Sequence, residues 1–342
     1  MIRTSRQSSH APLYRTVIQD ALRTAWVHKQ FWPLAFFAAI LMTGGTYDVM
    51  LRTVSVLTQQ GPFMAQNALV QDTAGFSFSS IFQSLPNLLA FATGLQAVVV
   101  VFVVLLALAV LSCVGQGGLV YAIGATHRGV TPTLRDAIRV GGGAFWPIAA
   151  LNAVGLLAVW AIRFIGILPL QIALQAATKT SWMVYLVSSI VMFALLFVVS
   201  TIQIFALNAM VLQGAPIKDA IIRGYKIFAK NWVICVETAV LFCVLAMFAS
   251  VVFVSVYFVV AIPILATVLA AGLLQSTTLL YGAMGLGLAL LILSALAVTA
   301  FVTHVQYASW TYIYRRLGEG GVLPKLHRLA RLITGNYSVP QE

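Results

Sequence analysis

The stretch AVVVVFVVLLALAV, from Ala97 to Val110, contains no polar side chain, and apolar residues dominate on both sides of it from about 86 to 114. A helix needs about 20 mostly apolar residues to cross a hydrocarbon layer about 30 Å thick. Inside lipid, a backbone can satisfy its hydrogen bonds only within its own helix. The stretch therefore predicts a transmembrane helix, and it places the chain among the integral membrane proteins.

The composition of the whole chain agrees with this prediction. Of its 342 residues, 61% are hydrophobic and 8% are charged, and the mean hydropathy is +0.97. A soluble domain carries about 25% charged residues, because a surface in water needs them. The three cysteines, Cys113, Cys235 and Cys243, lie in apolar runs without metal-ligand or Cys-x-x-Cys spacing, which indicates packing residues. Soluble, collagen-like, disordered and disulfide-framework classes are excluded.

Six stretches are long and apolar enough to span a membrane. We predict an all-α polytopic bundle of six transmembrane helices arranged as three hairpin repeats, with amphipathic helices on the cytoplasmic side. Residues 1–30 form a cytoplasmic N-terminal segment with an interfacial helix, 31–317 the membrane domain, and 318–342 a basic amphipathic tail. The predicted spans are about 31–49, 86–114, 145–167, 182–212, 232–262 and 277–312.

The distribution of positive charge predicts the orientation of these spans. A net charge of +12 would favour a nucleic-acid partner in a soluble protein, but here 17 of the 20 Lys and Arg residues fall on one side of the predicted spans. Basic residues in short loops resist translocation. We therefore expect both chain ends in the cytoplasm, a bacterial inner-membrane location and no nucleic-acid partner.

A short motif recurs before spans one, three and five. It consists of Asp-Ala, an aliphatic residue and a basic residue, and a tryptophan follows where the chain enters the membrane. Self-similarity of this kind indicates three copies of one unit. Each copy predicts a basic interfacial helix suited to the anionic headgroups of membrane lipids. The motif residues are Asp20, Arg23 and Trp32; Asp136, Arg139 and Trp146; and Asp219, Arg223 and Trp232.

Three segments carry a family resemblance. The run GGLVYAI from Gly117 to Ile123, the Asp-Ala-Ile segments at Asp136 and Asp219, and YIYRRL from Tyr312 to Leu317 resemble the membrane domain found with some bacterial glycerophosphoryl diester phosphodiesterases. They are also similar to a broader set of uncharacterised six-span inner-membrane proteins. In the phosphodiesterase group the chemistry belongs to a separate soluble barrel domain, and we find no such domain in this chain. The resemblance implies an architecture and a membrane, and no catalytic mechanism.

Several polar residues lie inside the predicted spans. An ionisable side chain there costs about 2.5 to 3.5 kcal/mol, so each one is a candidate site. One interpretation is a solute or proton site in which Glu237 titrates with His304 as its partner. A second is interhelical hydrogen bonding that fixes the packing, and a third is that Glu237 reaches an interfacial base. The expected cytoplasmic polar layer consists of Glu237, His304, Asn152, Asn208, Gln116 and Gln306.

Three functional hypotheses follow. The first is a non-enzymatic membrane protein of envelope or lipid homeostasis, with anionic lipids as partners. The second is a transporter or channel for a small solute or protons that uses the polar layer around Glu237. An intramembrane enzyme is the third and weakest, because we find no zinc spacing, nucleophile elbow or paired carboxylates in the sequence. We expect no catalytic residue, metal or cofactor.

Overall fold

The computed structural model describes residues 13–42, 95–175 and 179–319, and these residues are helical except at short turns, with no strand among them. A 3-10 turn, Lys29–Phe31, separates the first two helices. The helices are α1 (Leu13–Val27), α2 (Trp32–Met42), α3 (Leu95–His127), α4 (Leu134–Gly143), α5 (Phe145–Gln175), α6 (Lys179–Gln213), α7 (Ile217–Lys230), α8 (Trp232–Leu273) and α9 (Thr277–Glu319).

Five of the described helices contain a segment long and apolar enough to cross a membrane, and together they indicate a multi-pass membrane protein. Large apolar side chains such as Phe102 and Leu157 lie on the surface of these helices. Such exposure fits a helix that faces lipid. The segments are Val99–His127, Phe145–Ile162, Ile190–Gln213, Trp232–Leu273 and Thr277–Gly318.

The predicted spans and the helices agree at several starts, and the fourth predicted span agrees at its end, because α6 ends at Gln213. Other ends differ. Helices α5, α8 and α9 begin at Phe145, Trp232 and Thr277, where the third, fifth and sixth predicted spans begin. The predicted ends at 114 and 262 fall inside α3 and α8, which continue because the sequence stays compatible with helix beyond them. The last part of the first predicted span, from 43 to 49, and the beginning of the second lie outside the described residues, as do the N-terminal segment to 12 and the tail from 320.

The contacts divide the chain into two units. One contains α1, the beginning of α2, α8 and α9, and the other contains the end of α2 and α3 to α7. In the first unit α9 packs against both α1 and α8. The hydroxyls of Thr24 and Tyr312 share a hydrogen bond of 2.7 Å, and Arg316 Nη1 donates to Thr16 Oγ1 at 3.0 Å. Helix α1 is thus fixed to the C-terminal part of α9.

In the second unit, α3, α5 and α6 pack together, α4 rests on α3, and α7 rests on α6. Both amphipathic helices approach their supporting helix through a glycine. A Cβ atom added at Gly141 of α4 would overlap the Val114 carbonyl oxygen, and one added at Gly224 of α7 would lie 2.8 Å from the Ile202 carbonyl oxygen. Only a residue without a side chain allows these crossings.

Candidate functional site

Helix α7 is held on the membrane bundle by its smallest residues. Gly214, with a φ of +65°, ends α6, and α7 begins after Pro216, a residue suited to the start of a helix. Ala220 and Gly224 are buried against α6. Asp219 lies in the first turn and Lys230 in the last. Each charge is opposite in sign to the partial charge of its helix end, which stabilises the helix.

The exposed part of α7 has two distinct faces. Ile222 and Tyr225, three residues apart, are exposed apolar side chains on one face. The exposed cations Arg223, Lys226 and Lys230 follow at helical spacing on the next face. Helix α7 therefore presents small residues to the bundle, the apolar Ile222 and Tyr225 with Lys218 one turn before them to one side, and the other cations to another side. Such an arrangement suits a helix in a headgroup layer.

Arg223 is oriented by a second helix. Its Nη1 donates a hydrogen bond of 2.8 Å to Oε1 of Gln213, the last residue of α6. Because Arg223 is exposed, a phosphate can still reach its other guanidinium N–H groups.

Helix α4 begins with a capping box. The Thr133 hydroxyl donates to Asp136 Oδ2 at 2.6 Å and accepts from the Asp136 backbone N–H at 3.2 Å, and the Thr133 backbone N–H donates to the same carboxylate. The hydrogen bonds from Thr133 lower the pKa of Asp136, and the charges of Arg135 and Arg139 act in the same direction. Asp136 thus starts α4, while Arg139 is exposed beside it.

The first copy of the motif differs from the other two in its tryptophan. Trp146 and Trp232 are 79% and 56% exposed, as interfacial residues would be. Trp32 is half-buried, because its Nε1 donates to the Ala25 carbonyl at 2.9 Å and its ring meets Phe301 edge to face. In this copy Trp26 is the exposed tryptophan.

Trp26 also makes a contact with a cation, Lys29. The Lys29 Nζ lies 4.2 Å from the centroid of the Trp26 ring, a cation–π contact. Asp20 and Arg23 are exposed on the same helix, whereas Ala21 and Ala25 are buried. All three copies therefore bury a small residue directly after the aspartate and another four residues later.

A polar network joins α3, α5 and α6. Asn152 Nδ2 donates to Gln116 Oε1 at 2.8 Å and contacts Cys113 Sγ at 3.6 Å, while Gln203 Nε2 donates to Asn152 Oδ1 at 3.0 Å. Sequence reasoning identified Gln116 and Asn152 but missed Gln203. The available signal was Gln203 itself, a polar side chain inside the predicted span 182–212. In the structure, Gly155 leaves room for it, because a Cβ there would overlap the Gln203 amide.

The other residues of the expected polar layer have different surroundings. Asn208 donates from Nδ2 to the Ile204 carbonyl of its own helix, at 2.8 Å. Glu237 on α8 and Gln306 on α9 are half-buried. These two and His304 belong to one unit, while Gln116, Asn152 and Asn208 belong to the other.

His304 is the most enclosed ionisable residue of the layer. Its exposed fraction is 0%, and neither ring nitrogen has a hydrogen-bond partner within the described part of the chain. Two turns later on α9, the buried Thr311 hydroxyl also lacks one there. Buried polar groups are normally satisfied, so this end of α9 is unusual.

Residues 13–42, 95–175 and 179–319 contain no group of three or more His, Cys, Asp or Glu side chains that could hold a metal ion. No family model matches the chain, no curated protein matches it, and no solved structure matches it.

Proposed function

We propose that this protein acts without catalysis in envelope or lipid homeostasis, and that α7 is its principal contact with anionic lipid headgroups. The observation that carries the proposal is the three-sided surface of α7. Ala220 and Gly224 are buried against α6, Ile222 and Tyr225 are exposed apolar residues, and a row of cations follows beside them.

The charge on α7 is sufficient for a measurable preference. Helix α7 contains one acidic residue, Asp219, and four cations, Lys218, Arg223, Lys226 and Lys230. Each cation near an anionic bilayer surface contributes about 1 kcal/mol, which is about a fivefold change in an equilibrium constant. Because these residues are exposed, lipid phosphates can reach them.

Two further parts of the proposal concern architecture and location. We propose six spans in three hairpins, both chain ends in the cytoplasm, and a bacterial inner membrane. The packing supports the three copies, because α4 rests on α3, α7 rests on α6, and α1 rests on α9. Helices α4 and α7 each pack on the helix that precedes them in the chain, whereas α1 packs on α9.

Lipid retention by the purified full chain tests the proposal. The protein in detergent is mixed with equal amounts of phosphatidylglycerol and phosphatidylcholine, and the lipids retained after gel filtration are measured by mass spectrometry. We expect the phosphatidylglycerol enrichment to be at least about fivefold lower in the variant Lys218→Gln, Arg223→Gln, Lys226→Gln, Lys230→Gln than in the unaltered chain.

The matched control keeps the charges. Lys218→Arg, Arg223→Lys, Lys226→Arg, Lys230→Arg is expected to retain the enrichment of the unaltered chain. Equal enrichment in the neutralised and charge-preserving variants would contradict a headgroup role for α7.

A second candidate function is the passage of protons or a small solute. The observation in its favour is His304, which is fully buried with both ring nitrogens unpartnered among the described residues. Proton flux into proteoliposomes that falls in both His304→Ala and Glu237→Gln, but not in Gln275→Ala at the far end of the same helical pair, would support it. If the unaltered chain passes neither protons nor small solutes, this second function is excluded.

A further inference from the structure

The hairpin formed by α8 and α9 is longer than a membrane crossing requires. Helix α8 has 42 residues and α9 has 43. At 1.5 Å per residue each is about 63 Å long, about twice the thickness of the hydrocarbon layer. An upright helix entering at Trp232 would leave the hydrocarbon after about 20 residues, near Val252.

The hairpin is nonetheless adapted to hydrocarbon over its full length. From Thr238 to Tyr314, 77 residues, there is no Asp, Glu, Lys or Arg. Beyond Val252, large apolar side chains remain exposed on both helices up to the turn. Examples on α8 are Phe258, Ile262, Leu265, Leu269 and Leu273, the last of them 87% exposed.

Three hydroxyl groups on this hairpin are satisfied inside their own helix. Ser255 Oγ donates to the Val251 carbonyl at 2.9 Å, Thr267 Oγ1 donates to the Pro263 carbonyl at 2.8 Å, and Ser294 Oγ donates to the Leu291 carbonyl at 2.8 Å. A protein partner or water would offer these groups other hydrogen bonds, whereas hydrocarbon offers none.

The two helices also contact each other through small residues. Ala271 and Ala283 are buried, and a Cβ added at Gly287 would lie 2.7 Å from the Ile264 side chain. Near the turn, the exposed large side chains, such as Leu269 and Leu273, point away from the pair. This arrangement is usual for helices that pack within lipid.

Interface residues occur at the ends of α8 and are sparse in its middle. Lys230 and Trp232 stand at its beginning, and the polar turn from Gln275 to Thr278, with the exposed Tyr281, follows its end. An upright helix would leave the hydrocarbon near Val252. The sequence there has one residue typical of a membrane interface, Tyr257, and no Trp, Lys or Arg.

We propose that phospholipid acyl chains cover this hairpin along its full length, so that it crosses the bilayer strongly inclined. The lengths require an angle of about 60° from the membrane normal, beyond the usual range of about 0 to 40°. Pro263, inside α8, removes one backbone hydrogen bond and gives the helix a place to bend. A protein partner is disfavoured because a protein interface carries a polar rim, whereas this surface has no Asp, Glu, Lys or Arg.

Depth measurements with single nitroxide labels test the inclination. In a chain with Cys113, Cys235 and Cys243 replaced by alanine, labels are placed at Val240, Met247, Phe258, Leu265 and Leu273, all exposed positions of α8. The full chain is reconstituted in phosphatidylcholine, and collisions with oxygen and with a water-soluble nickel chelate are compared. Phosphatidylcholine is used so that the result does not depend on the headgroup binding proposed for α7.

The inclined hairpin predicts oxygen-dominated collisions up to Leu265, with the greatest depth near the middle of α8, around 252. A label at Lys226 serves as the water-exposed control and one at Leu106 on α3 as the lipid-exposed control. Greatest depth near 242 with nickel-dominated signals at Leu265 and Leu273 would mean an upright hairpin projecting into water, and would overturn the proposal. Spin–spin broadening at Leu265 would identify a second copy as the partner, with the same consequence.

Discussion

At the residue scale, Asn152 connects three helices through its side-chain amide. It accepts from Gln203 and donates to Gln116, so one amide joins α3, α5 and α6. Interhelical hydrogen bonds in membranes contribute about 0.6 to 2 kcal/mol each. The network thus has the strength expected of a packing contact.

Replacing Asn152 by leucine removes both bonds and leaves the two glutamine amides without this partner. We expect a loss of about 1 to 3 kcal/mol in the free energy of unfolding, measured by denaturation in mixed micelles. Ala153→Leu, at the exposed neighbouring position, is the control and should change stability by less than about 0.5 kcal/mol. Equal stability of the two variants would show that the network does not hold these helices together.

Asp136 gives a prediction about pH. Because its pKa in the folded chain is held below the ordinary value of 3.8, the capping box stabilises α4 fully above that value. The stabilisation is lost as the pH falls through the lowered pKa. Hydrogen exchange of the α4 amides, corrected for intrinsic rates, should therefore accelerate in strong acid.

Thr133→Val removes the hydroxyl that donates to Asp136, and should accelerate exchange in α4 at neutral pH and weaken the acid dependence. Thr131→Val, an exposed position in the same loop, is the control. An acid response unchanged by Thr133→Val would exclude the capping box as its source.

At the element scale, the close crossings of the amphipathic helices depend on single glycines. Gly141 meets the backbone of α3, whereas the next residue, Gly142, has no atom within 4 Å of an added Cβ. We expect Gly141→Ala to separate α4 from α3 and to lower stability by about 1 to 3 kcal/mol.

Gly142→Ala is the matched control on the same helix. It should leave stability unchanged or raise it by up to about 1 kcal/mol, because alanine favours helix more than glycine does. Thermal unfolding in detergent compares the two variants. A greater loss from Gly142→Ala than from Gly141→Ala would mean that α4 does not rest on α3 through this glycine.

The sequence was more informative about where helices begin than about where they end. Phe145 and Trp232 follow polar segments, so the change in composition marks the start. The ends were missed because α3 passes through Gly115, Gly117 and Gly118 and α8 passes through Pro263 without a break in the helix. In both helices tertiary packing or lipid overrides the local preference.

Some features of the candidate site could not be read from spacing. The small residues five positions after the aspartates of the second and third copies, Gly141 and Gly224, matter because of the backbone that each meets on another helix, and Ala25 of the first copy is buried. The half-buried position of Trp32 depends in the same way on Phe301, far away in sequence. The family resemblance, the orientation and the number of spans stay predictions.

At the scale of the whole molecule, charge and hydropathy are separated along the chain. The amphipathic helices α1, α4 and α7 carry exposed cations, whereas the long pair α8 and α9 has no Asp, Glu, Lys or Arg between Glu237 and Arg315. These three helices carry +5 of the net charge of +12, and α7 alone carries +3. A helix with this charge is attracted to an anionic membrane surface. The proposed function depends on α7 lying in that surface.

The depth of α7 in an anionic bilayer tests this most directly. In a chain without its native cysteines, single nitroxide labels at Tyr225 and at Arg223, which lie on nearly opposite sides of α7, occupy its apolar and its basic face. If α7 lies in the headgroup layer, oxygen-dominated collisions are expected at 225 and nickel-dominated collisions at 223, in bilayers containing phosphatidylglycerol. Nickel-dominated collisions at both positions would place α7 in water and contradict the account.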